Sequence, residues 1–142
     1  MTRHIATIAT LLLGFIAVPA SSASAPAALL PLSDADTGRI GESGCNFSFD
    51  IGRKTYVFAI NHTLMVRTSA GLSLCNLPVT QFDKFSEASG SVTCGGRKLA
   101  LRRTGKGTSS EEADSASFPA TLTVTTGAGA PQLLRGVAGT AC

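Results

Sequence analysis

The amino-acid sequence predicts an all-β domain, a small antiparallel barrel or sandwich of about eight short strands with one short helix, stapled by disulfides. Three observations carry this expectation. Apolar and polar residues alternate with period two through most of the chain beyond Cys45, and Gly, Asn and Ser punctuate the alternating runs. Four cysteines are spread along a chain of 142 residues. That length holds one domain and excludes a large scaffold such as a TIM barrel, while 44% hydrophobic and 15% charged residues exclude general disorder.

The elements follow in order. Cys45-Asn46-Phe47-Ser48-Phe49-Asp50-Ile51 alternates strictly, as a half-buried strand does, and Gly52-Arg53-Lys54 turns the chain. Thr55–Ile60 is β-branched and aromatic, a second strand, and Asn61-His62 suits a tight turn. Thr63–Thr68 is the third strand, Ser69-Ala70-Gly71 a turn, and Leu72–Leu77 the fourth strand. The period then changes. Thr80 can cap a helix with Asp83 three residues on, and Phe82 and Phe85 share one face, so one or two helical turns are expected to plug the end of a sheet. Glu87–Gly90 is a loop. Ser91–Cys94, Gly95-Gly96 and Arg97–Arg103 read as a hairpin, because paired glycines supply the positive φ of a two-residue turn. Leu99 and Leu101 should face inward, with Lys98, Ala100 and Arg102 outward. Thr104–Ser117 is expected as a long polar loop, Ala120–Thr125 and Gln132–Val137 as the last two strands, and Gly127–Pro131 as the turn between them.

Upstream of the domain, Met1–Ala25 has the layout of a secretory signal. Arg3 is positive, Ile8–Val18 is apolar but for Thr10 and Gly14, and small residues follow from Ala20 to Ala25. Cleavage after Ala20 or Ala23 fits; cleavage after Ala25 would put Pro26 next. The expected organisation is a signal peptide over 1–23, a flexible Ala-, Ser- and Pro-rich segment over 24–43 from which Leu29, Leu30 and Leu32 can dock, and a single β domain over 44–142. The apolar run is short for a membrane span and no later run is longer. A periplasmic or secreted protein is therefore expected, with no membrane span. Export together with an even number of cysteines favours disulfides, and the absence of C-x-x-C disfavours a zinc ribbon or a redox pair. Of the three possible pairings, Cys45–Cys142 with Cys75–Cys94 is favoured: the first ties the ends of the domain and the second clamps its middle.

Charge and chemistry narrow the function. Lys and Arg number 12 against 9 Asp and Glu, and Arg3 leaves with the signal. So near-neutral a chain, with one Tyr and no Trp, does not predict nucleic-acid binding. His62 is the one histidine of the expected mature chain, and in a turn it reads as a surface residue rather than a metal ligand or a base. No G-x-S-x-G elbow is present. Glu111, Glu112 and Asp114 lie in a Ser-rich loop and read as solvated. Thr104-Gly105-Lys106-Gly107-Thr108 lacks the first glycine and the Lys-Ser/Thr junction of a phosphate loop. The N-x-S/T matches at Asn46 and Asn61 are taken as chance. No catalytic residue, metal or cofactor is predicted, and the pattern assigns no oligomeric state. What stands out is a basic strip, Arg97, Lys98, Arg102, Arg103 and Lys106, which either guards an edge strand or meets an anionic partner.

Ser89-Gly90, followed by a strand with Arg103 and Gly105 near its end, resembles the periplasmic inhibitors of c-type lysozyme over about twenty residues. That family's Tyr position holds Thr93 here. The resemblance implies a small exported disulfide-containing β-barrel in which Ser89 and Arg103 enter the lysozyme cleft and engage its catalytic carboxylates. The domain is also similar to small exported proteins of Gram-negative bacteria. The expected function is a non-catalytic exported β-module that binds a protein or an anionic envelope component. The alternative is an envelope structural or assembly accessory, and a small hydrolase using His62 comes last.

Overall fold

The computed structural model describes residues 28–127 and 129–142. The expected signal peptide lies outside them. Ten strands and two helices follow in chain order: β1 (Leu29–Leu30), α1 (Asp34–Thr37), β2 (Asn46–Ile51), β3 (Lys54–Ile60), β4 (Thr63–Thr68), β5 (Gly71–Asn76), α2 (Val79–Ser86), β6 (Ser91–Cys94), β7 (Arg97–Arg103), β8 (Thr108–Ser110), β9 (Ser115–Thr125) and β10 (Gln132–Ala141). Every pairing is antiparallel, and eight strands run side by side as β5-β4-β3-β2-β10-β9-β7-β6. The sheet curls until its outer strands β5 and β6 touch, and there Cys75 bonds Cys94 across a Cα separation of 5.8 Å. The second disulfide, Cys45–Cys142, joins the start of β2 to the residue after β10, with Cα atoms 4.1 Å apart. Both are the pairings favoured by the sequence, and of the expected barrel or sandwich the chain forms a curled antiparallel half-barrel, with ten strands and two helices in place of about eight and one.

Alternation places the core. Phe47 and Phe49 of β2, Val57 and Ala59 of β3, Leu64 and Val66 of β4, Leu99 and Leu101 of β7, and Leu122 and Val124 of β9 point into the concave side and are buried. Gly95 marks the seam. It has φ +60° in the β6–β7 turn, and a Cβ there would come within 2.7 Å of Ser73 Oγ on β5, so both conformation and space require glycine.

Each end of the barrel is closed by a different device. At the end holding the β3–β4 turn, α2 lays Phe85 and Phe82 on Phe47, ring centroids 5.6 and 6.2 Å apart, edge to face. The helix begins two residues earlier than the sequence suggests. Pro78, not Thr80, precedes its first turn, and no side chain caps it, because the proline ring carries no hydrogen-bond acceptor for the free amides of that turn. At the opposite end the segment expected to be flexible is tied down from Leu29 onward. Leu29, 2% exposed, joins the core, and its amide donates to Gln132 Oε1 at 3.0 Å. β1 pairs with Arg67 and Thr68 of β4, and the Leu32 amide donates to the Thr55 carbonyl at 2.8 Å. A capping box then forms α1: the Asp36 amide donates to Ser33 Oγ, and the Ser33 amide to Asp36 Oδ2. The same carboxylate receives Arg67 Nε at 2.7 Å and Arg67 Nη2. This bidentate pair clasps the segment to the convex side of β4.

The expected Thr104–Ser117 loop is also more ordered than its composition suggests. β8 pairs with the first residues of β9, and Asp114 turns the chain at φ +43°. β8 is Thr-Ser-Ser and exposed throughout, so it carries no apolar face and no period-two signal. β10 runs on to Ala141 through Gly136, Ala138 and Gly139, small residues that propensity does not mark as strand.

Candidate functional site

The basic strip is split by the strand that carries it. Along β7 the side chains of Lys98 and Arg102 point outward, while Arg97 and Arg103 share the inward parity of Leu99 and Leu101. Arg97 is 9% exposed and its Nη1 donates to the Gly95 carbonyl at 2.7 Å. Arg103 lies at the rim and stacks on the Phe118 ring, 4.5 Å from its centroid. Lys106 is exposed in the following loop. The strip is therefore not one face, because alternation sends neighbours to opposite sides.

Register reunites part of it. Ser91 pairs with Ala100, so the Ser89-Gly90 loop lies level with Arg102 and Arg103, whereas Arg97 and the Gly-Gly turn stand about 20 Å away along β7. Ser89 closes α2: its amide and its Oγ both donate to the Lys84 carbonyl, at 2.8 and 3.1 Å. Gly90 packs close on Lys84, where a Cβ would come within 2.9 Å of the lysine Cβ.

The convex face adds residues the sequence reading did not single out. Arg102 pairs with Thr121, which pairs with Arg135, so three adjacent strands hold two arginines in one row, with Lys98 along β7. Leu133 and Val137, 64% and 47% exposed, flank Arg135 on the same face. Lys98, Arg102 and Arg135 make no ion pair among the described residues. The alternation of Leu133, Arg135 and Val137 signals a common face, but only the fold shows that this face adjoins Arg102.

A cleft of about 790 Å³ lies beside α2 and is lined in part by Glu42, Asn61, His62, Asn76, Phe82 and Asp83. Two pairs of its polar side chains satisfy each other: Asn61 Nδ2 donates to Glu42 Oε2 at 3.1 Å, and Thr63 Oγ1 to Asn76 Oδ1 at 2.8 Å. His62 is exposed in the β3–β4 turn, and no hydrogen bond orients its ring among the described residues. The perturbed carboxylate is elsewhere: the Arg67 guanidinium, then the Ser33 amide, hold Asp36 well below the usual carboxylate range. That shift belongs to the N-terminal clasp.

No protein family, curated protein or solved structure matches the chain. No helix among the described residues is long and apolar enough to cross a membrane.

Proposed function

We propose that this chain is an exported, non-catalytic binding module that engages an acidic protein surface through the convex side of β7, β9 and β10. The observation that carries the reading is the set of exposed, unpaired cations Lys98, Arg102 and Arg135 set around exposed Leu133. Surface cations without partners steer an anionic partner, and an apolar residue among them supplies the desolvated contact that holds it. The signal-like layout of Met1–Ala25 supports export, and two disulfides fit an oxidising compartment. The unoriented His62 favours binding over hydrolysis.

A narrower form, placed at the rim of the β6–β7 hairpin and not on the convex face, is inhibition of a c-type lysozyme, in which Ser89 and Arg103 meet the catalytic carboxylates. Their common position at one end of the β6–β7 hairpin supports it. A lysozyme turbidity assay with the purified mature chain tests this form; no inhibition at micromolar protein removes it. The broader reading is tested by capture from periplasmic extract and host secretions with wild type and Arg102→Glu/Arg135→Glu. Charge reversal should abolish capture of an acidic partner and flatten its salt dependence. Equal capture by both proteins would overturn the assignment of this face.

A further inference from the structure

We infer that the convex face carries a second site, a polar groove across β8, β9, β10, β2 and β3 that binds an uncharged oligosaccharide. Two depressions, about 420 and 340 Å³, meet over β2 and share Asn46, Ser48 and Asp50. Their floor is low because Gly139 stands between Ser48 and Ser117 in the ladder. From β8 to β3 there are four inter-strand steps of about 4.8 Å, so the groove runs for about 19 Å. That is too long for one sugar ring and suits a short chain of them.

The floor is built around Asp50. Pairing of β2 with β3 slips between Phe49 and Asp50: Phe49 faces Val57, but Asp50 faces Thr55. This bulge sends Tyr56 to pack against the core and swings Thr55 to the convex side. There Thr55 Oγ1 donates to Asp50 Oδ1, and Ser48 Oγ to Asp50 Oδ2, both at 2.6 Å. Each hydroxyl spends its proton on the carboxylate and keeps its lone pairs. The cluster is therefore rich in acceptors and calls for donors. The Asn46 side-chain amide beside it makes no hydrogen bond among the described residues and offers a donor and an acceptor. Apolar patches complete the set: half-buried Phe58 lies opposite Ser48, and Val137 stands at the wall.

These features select the ligand class. Sugar hydroxyls donate to the Asp50 cluster and accept from Asn46, while the C–H faces of the rings rest on Phe58 and Val137. An anion is disfavoured because Asp50 on the floor and Asp34 at the wall outnumber Arg53, the one cation of the lining among the described residues. A peptide strand finds no free backbone on the floor, where β10 and β2 are paired on both sides. The site adjoins the cationic face at Val137, and its argument does not rest on that face.

The test is an amide NMR titration of the full mature chain with uncharged tetrasaccharides of the cello, chito, xylo and malto series. At least one should shift Ser48, Asp50, Ser117 and Gly139. Asp50→Asn should weaken that binding about tenfold, the worth of one hydrogen bond. Thr108→Arg, at an exposed wall position, should block it with the fold intact. Arg102→Glu/Arg135→Glu should leave it unchanged, which separates this site from the cationic face. The inference is overturned if no series shifts these amides at millimolar sugar, if the shifts map to Leu133–Arg135, or if folded Thr108→Arg binds like wild type.

Discussion

Removal of the Cys45–Cys142 disulfide separates two accounts of what holds this barrel together. Both cysteines are exposed, and the residues beside them stay paired without the bond: Ala141 faces Asn46 in the β2–β10 ladder, and the Cys142 amide donates to the Asp114 carbonyl at 3.0 Å. Counting native contacts, Cys45→Ala/Cys142→Ala should cost at most about 0.5 kcal/mol, as exposed substitutions do. Chain entropy says otherwise. The bond closes a loop of 97 residues, worth about 4.7 kcal/mol, or about 4.5 with the inner 19-residue loop still closed by Cys75–Cys94. We expect an unchanged amide spectrum, a stability loss of about 4.5 kcal/mol in guanidinium unfolding without reductant, and a larger m-value from a less compact unfolded chain. A loss below about 1 kcal/mol with the same native spectrum would refute the entropic reasoning. Cys75→Ala/Cys94→Ala should differ in kind. Its 19-residue loop is worth about 3 kcal/mol, the buried Cys94 adds about 1 for the vacated space, and hydrogen exchange should quicken at β5 and β6.

Two further perturbations probe the closed ends. Phe85→Ala removes a fully buried ring that packs edge to face on Phe47, and should cost about 3–5 kcal/mol by chemical denaturation; a loss under 1 would mean that α2 does not seal the barrel. Asp36→Asn breaks the clasp on Arg67. Because the folded state holds this carboxylate below its unfolded value of about 3.9, its contribution is complete above pH ~4 and fades as pH falls through the folded value. The stability gap between wild type and Asp36→Asn should hold from pH 7 to 5 and narrow at pH 3; a gap that closes between pH 8 and 6 would contradict the assignment.

What sequence pattern shows and hides here has a physical basis. The β6–β7 hairpin sits where Gly95-Gly96 places it, and β4 spans Thr63–Thr68 as alternation predicts, because local chemistry decides both. β1 is two residues long and exists through its pairing with β4, so no window of its own sequence could propose it. α1 did leave a signal, since Ser33 and Asp36 have capping-box spacing, but it is masked by a polar, Gly-containing surround. β8 is hidden because its face is hydroxyl throughout. The cationic face was half visible: Lys98 and Arg102 are neighbours along one strand, while Arg135 joins them only through β9.

Both ends of the barrel are sealed, one by Phe85 and Phe82, the other by Leu29, and Phe47 and Phe49 lie between. The interior is therefore side-chain core, unlike barrels that carry ligand in an open mouth. On the two proposed readings recognition falls to the outside, and β10 has the central part in it. Its outward residues Leu133 and Arg135 belong to the cationic face, and Val137 and Gly139 to the polar groove, while Ala138 faces the core. One strand thus separates fold from binding by parity alone. Substitutions at 133 and 135 should change the charged face, those at 137 the groove, and a large residue at 138 should disturb the barrel itself.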